Sequence, residues 1–284
     1  MNTRQLGIII ESEYMERVRR KSFALTTLLM PLAALAAIIM PGVLASESPA
    51  ETVGSLTATA LQEAAGYATG LASYFIIMMS GTMVMHAVGE EKQNRTVEVM
   101  LSAVHPDVLL LGKIVAIGLT VITQMTIWAV MAAGAAAISG GEGLSCGMRL
   151  TEMVPLALYV VGAYILYSSF FAITGVIVDK ASGQGNQLTL LVMLPLLISA
   201  YIAVHAVQTP DDALSFWSGM CPLSSAIVMP AKIPHGDVET WETAVSLTLL
   251  YLTAAAAVVV AAKTYRAAIL LRGKKIKLRK LFSR

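Results

Sequence analysis

The sequence predicts an all-α membrane protein with six transmembrane helices. Of its 284 residues, 56% are hydrophobic and only 13% are charged, and the mean hydropathy is +0.71. Soluble domains contain about 45–50% apolar residues even when glycine is counted. The apolar residues form long blocks separated by polar segments, and lysine and arginine collect on alternate segments. This combination indicates helices that cross a bilayer.

Residues 1–22 are predicted to form a cytoplasmic amphipathic helix that lies along the membrane surface. An apolar stripe recurs at every fourth residue, although Glu13 and Arg17 interrupt it. A solvated basic leader that only fixes topology is the alternative. The stripe consists of Leu6, Ile10, Tyr14 and Val18.

Six apolar blocks are long enough to cross a hydrocarbon core of about 30 Å. The first block could also be a signal peptide, but its length behind an acidic and basic leader favours a retained anchor. Residues 46–66 are predicted to be a short external loop that becomes helical toward the second span. A basic tail, residues 264–284, follows the last span. The predicted spans are residues 23–45, 67–88, 108–138, 152–178, 188–207 and 245–262.

The charged segment between the second and third spans, residues 89–113, is predicted to contain a short amphipathic helix. Glu91 and Arg95 form an i,i+4 pair on one face of it. Pro106 ends this helix, and the aspartate after it is predicted to cap the next helix, which opens at Val108. An ordered hairpin between two spans suggests a surface on which a partner acts. The apolar face consists of Val97, Met100, Leu101 and Val104.

The external segment 208–242 combines aromatic and aliphatic residues with four prolines. Its length and apolar content predict short helices that re-enter the outer leaflet, protected by the rest of the protein. A flexible loop is the alternative. Cys146 and Cys221 both fall on the external side, and whether they form a disulfide stays open.

The positive charges predict the orientation. Of the 20 lysines and arginines, 18 lie in the leader, the 89–113 segment, the turn between spans 4 and 5, and residues 263–284. Only Arg149 and Lys232 fall on the other side. This bias predicts that both termini and the 89–113 segment are cytoplasmic.

Several function classes are disfavoured by the sequence. It contains no Walker GxxxxGK[ST] motif, no HExxH motif and no pair of aspartates inside a span. No acidic or basic residue falls at the centre of a predicted span, whereas ion-coupled carriers place such residues there. The 16 methionines suggest soft-metal handling, but methionine is also a common filler of apolar helices. Energy for transport is therefore expected from outside this chain.

Three segments resemble the ABC-2 type permeases, which are the membrane subunits of ABC exporters. The first is GEEKQNRTVEVMLSAVHPDVLLLGKI, between the second and third spans. The second is FWSGMCPLSSAIVMPAKIPHG, with WETAVSL after it. The third, KTYRAAILLRGKKIKLRKL, is similar to the C-terminal run of the sodium-efflux branch. That branch has a large external domain between its first two spans, which is shortened here to residues 46–66.

The resemblance implies a homodimer of six-span domains, residues 23–263, each docked on one of two copies of an ABC ATPase subunit. ATP and Mg would bind that partner, so the chain by itself is not an enzyme and carries no cofactor or metal. A bacterial or archaeal inner membrane is implied, with no nucleic-acid partner. Docking would use the N-terminal helix and the 89–113 segment. The implied coupling residues are Glu90, Glu91, Arg95, Glu98, Met100, Leu101 and His105.

The resemblance also implies a substrate path at the dimer axis, between spans 2 and 5. Two functions from other classes stay open: a structural or assembly protein of the membrane, and a channel or carrier that works without ATP. The sequence does not choose among sodium, lipid, drug and peptide cargo. The implied path residues are Met78, Met79, Thr82, Thr189, Met193 and Ser199.

Overall fold

The protein is described by a computed structural model that covers residues 3–21, 23–25, 27–28, 58–93, 106–138, 150–177, 185–235 and 238–270. These ranges are helical with short connections, and no strand occurs in them, in agreement with the all-α prediction. The helices are α1 Thr3–Val18, α2 Ala58–Gln93, α3 Pro106–Ile138, α4 Leu150–Ile177, α5 Gly185–Gln208, α6 Ala213–Met220, α7 Pro222–Lys232 and α8 Thr240–Leu270. A 3-10 turn, Ile233–His235, lies between α7 and α8.

Five of these helices are long and apolar enough to cross a membrane. They correspond to the second to sixth predicted spans. The first predicted span, residues 23–45, lies mostly outside the described residues, so the count of six stays a prediction. The five candidate spans are Ala65–Gly89, Val108–Trp128, Glu152–Ile177, Thr189–Gln208 and Thr240–Ala268.

The bounds of α3 and α8 differ from the prediction. Helix α3 begins at Pro106 rather than Val108, so Asp107 lies in its first turn and does not precede the helix as a cap. Proline suits that first position because it has no N–H to leave unpaired there. Helix α8 extends at both ends beyond residues 245–262, which were predicted from their hydropathy. Polar residues continue the helix on either side of this apolar stretch.

Helix α4 lies at the centre of the bundle and packs along both α2 and α8. Glycines permit the close approach of α2 and α4. Gly81 of α2 faces the ring of Phe171, and Gly175 of α4 faces the backbone oxygen of Met85, so that a Cβ on either glycine would collide. Small residues at helix contacts allow this spacing in membrane bundles.

Helix α5 presents a wide apolar face to the outside of the bundle. Leu191 is 68% exposed and Tyr201 is 79% exposed. Such exposure would be costly in water over so many residues, but it is expected for a helix in contact with lipid or with a second membrane protein.

Candidate functional site

The short helices α6 and α7 lie between the two last candidate spans, where the sequence predicted short helices. Residues 224–232 of α7 are all buried, and α7 contacts α2, α4, α5 and α8. Helix α6 keeps Leu214 and Trp217 exposed. Its first turn is capped by Asp212, whose Oδ1 accepts a hydrogen bond of 2.8 Å from the backbone N–H of Ala213. The pair therefore forms an ordered insert in the bundle rather than a flexible loop.

Hydroxyl groups from three surrounding helices bind backbone oxygens of this insert. Ser246 of α8 donates to the Gly219 oxygen at 2.6 Å, and Tyr167 of α4 donates to the Leu223 oxygen at 2.7 Å. Thr69 of α2 donates to the oxygen of the proline at position 230, also at 2.7 Å. Backbone groups away from water need such partners, because a buried unpaired group costs about 1–3 kcal/mol.

Prolines explain why the last of these bonds is needed. In a continuing helix the oxygen of Pro230 would accept from the N–H of residue 234, but that residue is Pro234 and has no N–H. The Thr69 hydroxyl supplies the missing donor. The C-terminal end of α7 is thereby tied to α2.

An apolar cavity of about 230 Å³ lies where α2, α5 and α7 meet. Glycine and alanine line much of it, and Gly66 of α2 approaches so closely that a Cβ there would lie 2.7 Å from the Ala231 oxygen. The lining residues are Gly66, Tyr67, Gly70, Leu71, Tyr74, Ala200, Ala203, Val204, Val207, Ile227 and Ala231.

Lys232 directly follows the cavity wall residue Ala231 and is the last residue of α7. It is only 4% exposed. The sequence placed it in an external segment and did not predict its burial. Such a low exposed fraction is unusual for a lysine residue.

A group of charged side chains joins α1 to α3. Glu13 of α1 forms an ion pair with Lys113 of α3, and Arg17 bonds the other oxygen of Glu13 at 3.1 Å. Tyr14 and Thr123 share a hydrogen bond of 2.9 Å further along α3. Glu13 and Arg17, which interrupt the predicted stripe, thus lie on the face that packs against α3.

Lys113 is only 7% exposed, and its ammonium pairs with Glu13 rather than extending toward water. Burial alone would raise the pKa of the Glu13 carboxyl, but Lys113 and Arg17 beside it hold that pKa below its usual value. The carboxylate is therefore charged at neutral pH and fastens α1 to the third predicted span.

A family model described as ABC-2 family transporter protein matches residues 45–263. The chain belongs to the ABC-2 family of transporter proteins. A curated relative, the uncharacterized protein YhaP of Bacillus subtilis (strain 168), is 25% identical over 213 residues. The match covers 70% of this chain and 50% of the relative, so the chain spans about half the length of the relative that it matches. ABC-2 permeases generally work with an ABC ATPase partner.

The coupling residues implied for an ABC-2 permease lie mostly outside the described part of the chain. Glu90 and Glu91 are in the last turn of α2, which ends at Gln93. The remaining coupling candidates fall in residues 94–105, outside the described residues, so their role stays a prediction. They are Arg95, Glu98, Met100, Leu101 and His105.

The residues proposed for the ABC-2 substrate path lie in helix packing contacts. Thr82 donates at 2.9 Å to backbone oxygens of its own helix, at Met78 and Met79. Ser199 is 2% exposed and bonds back to α5, while Thr189 contacts the Met85 sulfur at 3.4 Å. Met193 packs against the core. None of these six described candidates lines the cavity, and their contact with cargo stays a prediction.

The residues that line the cavity were not predicted from the sequence, and neither was the burial of Lys232. The spacing of Gly66 and Gly70, one helical turn apart, is a signal of close helix approach that was present in the sequence. No comparable signal marks Lys232, because its burial results from the packing of other helices around α7. Cys221 is exposed and unbridged among the described residues, while Cys146 lies outside them, so the disulfide stays open.

Proposed function

We propose that the chain is the permease subunit of an ABC exporter, which moves its cargo outward with ATP hydrolysed by a separate ATPase subunit. The observation that carries this proposal is the ABC-2 family match over residues 45–263. The five candidate spans agree with a membrane subunit, and the sequence has no Walker motif with which to bind ATP itself.

The proposed point of coupling is the segment between α2 and α3, with Glu90 and Glu91 at its start. This segment leads directly into α3 at Pro106. Since the Glu13–Lys113 pair fastens α1 to α3, a push on the segment would displace α1 and α3 together. Closure of the ATPase dimer would then favour one of two arrangements of the helices through different contacts in each.

The complete exporter is proposed to be a homodimer with two ATPase copies in the inner membrane. The exposed apolar face of α5 supports a second copy of the chain packed beside it. Tyr201 carries a hydroxyl on that face, and such a polar group in a membrane helix can form a hydrogen bond to a neighbouring helix. Both termini are proposed to be cytoplasmic, from the distribution of lysine and arginine. The path between α2 and α5 would then lie at the dimer axis.

Membership of the sodium-efflux branch is proposed from the C-terminal resemblance, but it does not assign the cargo. Within the described ranges, no group of three or more His, Cys, Asp or Glu side chains is placed to hold a cation. The proposal is therefore an exporter of the ABC-2 type, with a cargo to be established by experiment.

The proposal is tested by purifying the tagged full-length chain from its native membrane and identifying the proteins that accompany it. We expect an ABC ATPase in amounts equal to the permease, with ATPase activity that vanadate inhibits. Absence of any ATPase under mild solubilisation would refute the exporter assignment.

The coupling site is tested by replacing Glu90 and Glu91 together with alanine. We expect this variant to lose the ATPase subunit or its cargo stimulation, because two charges at the end of α2 would be removed. Glu63→Ala is the matched control, since Glu63 is an exposed residue near the other end of the same helix. Unchanged stimulated activity in the double variant would contradict the coupling role.

A further inference from the structure

The outward face of α5 carries a tyrosine deep within a candidate span. Tyr201 is 79% exposed, and among the described residues no hydrogen bond engages its hydroxyl. It precedes Gln208, the last residue of the span, by about 10 Å along the helix axis. Side chains of a helix tilt toward its N-terminus, so Tyr201 leans away from that end, whereas tyrosines of an interfacial belt lie at span ends. Its hydroxyl therefore needs a partner within the apolar layer.

The cavity between α2 and α5 opens beside this tyrosine. Two of its lining residues, Leu71 of α2 and Val204 of α5, are exposed, so its mouth lies at the outer surface of these two helices. On an α-helix, Tyr201 projects about 60° from Val204. The mouth of the cavity and the tyrosine thus share one face of the bundle, yet Tyr201 is not among the residues that line the cavity.

The cavity has a volume suited to one aromatic ring. An apolar cavity of about 150 Å³ is known to hold benzene, and sites for drug-sized molecules typically measure about 300–1,000 Å³. The 230 Å³ of this cavity lies between these values. Of the two tyrosines in its lining, Tyr67 accepts a hydrogen bond of 3.2 Å from Gln208, whereas the hydroxyl of Tyr74 makes none among the described residues. The cavity therefore offers space for a phenol ring and a hydroxyl with which that ring can bond.

A two-fold axis parallel to α5 brings a second tyrosine to this mouth. In such a dimer the two α5 helices lie side by side, and each residue keeps its own depth in the membrane. An axis that faces α5 between Tyr201 and Val204 has the tyrosine on one side and the mouth of the cavity on the other. The rotation then brings Tyr201 of the partner subunit to the mouth. The depths agree as well, since Tyr74 and Ala200, the neighbour of Tyr201, line the same cavity.

We propose that the cavity receives the ring of Tyr201 of the partner subunit, whose hydroxyl bonds to that of Tyr74. By symmetry the same contact forms twice in the dimer. The inference rests on the proposed homodimer and names the residue and the socket that hold it together. A lipid chain in the cavity is the rival occupant, but it would leave both hydroxyls without a partner.

Cysteine cross-linking tests the contact in the full chain. Cys146 and Cys221 are first replaced with serine, and two differently tagged copies are then produced in one membrane. One copy carries Tyr201→Cys and the other Leu71→Cys, at the mouth of the cavity. We expect a short bis-maleimide to join the two tags. The matched control pairs Tyr201→Cys with Leu252→Cys, at an exposed leucine of α8, and should give no joined product.

The strength of the contact is measured by energy transfer between labelled copies in liposomes, at decreasing ratios of protein to lipid. Tyr201→Ala removes the ring and Ala200→Phe fills the cavity, so each should raise the dissociation constant of the dimer at least tenfold. Leu252→Ala is the matched control and should change it less than about twofold. Tyr201→Phe and Tyr74→Phe each remove one hydroxyl of the same bond, so the double variant should be no weaker than either single variant.

Two results would overturn the inference and leave the homodimer in place. One is an unchanged dissociation constant in Tyr201→Ala and in folded Ala200→Phe, as expected when lipid fills the cavity. The other is equal cross-linking of position 201 to positions 71 and 252. If Ala200→Phe does not fold, Tyr201→Ala at its exposed position and the cross-links decide. Absence of energy transfer at every ratio would instead refute the proposed homodimer and this contact with it.

Discussion

Replacing Glu13 with glutamine should release α1 from α3. The change removes one negative charge and keeps the size of the side chain. Lys113 and Arg17 would then face each other across a neutral amide, with side chains that are 8% and 17% exposed. Two like charges in so enclosed a position repel each other and lose the hydration that free side chains have.

The size of the effect follows from the burial of the pair. Removing one partner of a buried ion pair costs about 3–5 kcal/mol. The Glu13 side chain retains 20% exposure, so solvent reduces the loss, and about 2–3 kcal/mol is expected. Since each 1.4 kcal/mol is a factor of ten, undocking of α1 should increase about 30- to 140-fold.

Hydrogen exchange followed by mass spectrometry, on the full-length chain in nanodiscs at neutral pH, measures this undocking. Amides of α1 should lose protection by that factor in Glu13→Gln, while those of α4 stay as they were. Glu16→Gln is the matched control on the same helix. Glu16 pairs with Arg20, but both side chains are 62% exposed, and such pairs contribute at most about 1 kcal/mol.

Equal protection of α1 in the Glu13 and Glu16 variants would refute this reasoning. It would mean that the hydrogen bond and apolar contacts between α1 and α3 hold the helix without the ion pair. A Glu13→Gln, Lys113→Met double variant separates the two cases further. If the pair acts as described, the double variant should recover part of the lost protection, because the Lys113 ammonium no longer faces Arg17 across the neutral amide.

Three further predictions concern pH and packing. The pKa of Glu13 in the folded protein is held below its ordinary 4.5. The Glu13 ion pair therefore stabilises the docking of α1 fully above pH 4.5, and this stabilisation is lost as the pH falls through the lower folded-state pKa. Cleavage of α1 by pepsin should accelerate in that pH range. Thr69→Val removes the hydrogen-bond donor to an otherwise unpaired backbone oxygen of α7 and should lower the free energy of unfolding, measured by thermal denaturation, by about 1–2 kcal/mol. Thr248→Val is the control. It loses only a hydrogen bond within its own helix on an exposed face and should change stability little. Gly66→Ala places a Cβ 2.7 Å from a backbone oxygen of α7 and should lower the free energy of unfolding by about 1–3 kcal/mol. Gly7→Ala is the control: its Cβ meets no atom within 4 Å, and it should stabilise α1 by up to about 1 kcal/mol. A Gly66→Ala variant as stable as the original chain would contradict the close packing of α2 and α7.

The positions of the candidate spans were predictable because each depends on a property of its own residues. A run of apolar side chains about 20 residues long, such as Thr189–Gln208, is apolar enough to span a bilayer whatever surrounds it. The short helices of the 208–242 segment were predictable for a related reason, since an apolar, proline-rich stretch between two candidate spans was expected to pair its backbone groups internally. The first span and the 94–105 segment stay predictions from sequence.

Particular contacts were not predictable in this way. Glu13 was treated as an interruption of the α1 stripe, because nothing local indicates that Lys113, a hundred residues later, lies opposite it. Lys232 was counted as an external charge for the same reason. Met78 and Ser199 were proposed for the substrate path from their positions on two helices, yet the cavity between these helices is lined by other residues.

The sequence by itself determined the class of the protein, the approximate positions of its candidate spans and its family. Hydropathy and the order of motifs depend only on residues that are close in sequence, so they can be read without knowledge of the fold. Only the tertiary structure decided which charges are buried together, which hydroxyls complete the backbone of α7, and where a cavity remains. These depend on how helices distant in sequence pack, because the cost of a buried charge and the fit of a glycine are set by the atoms that surround them.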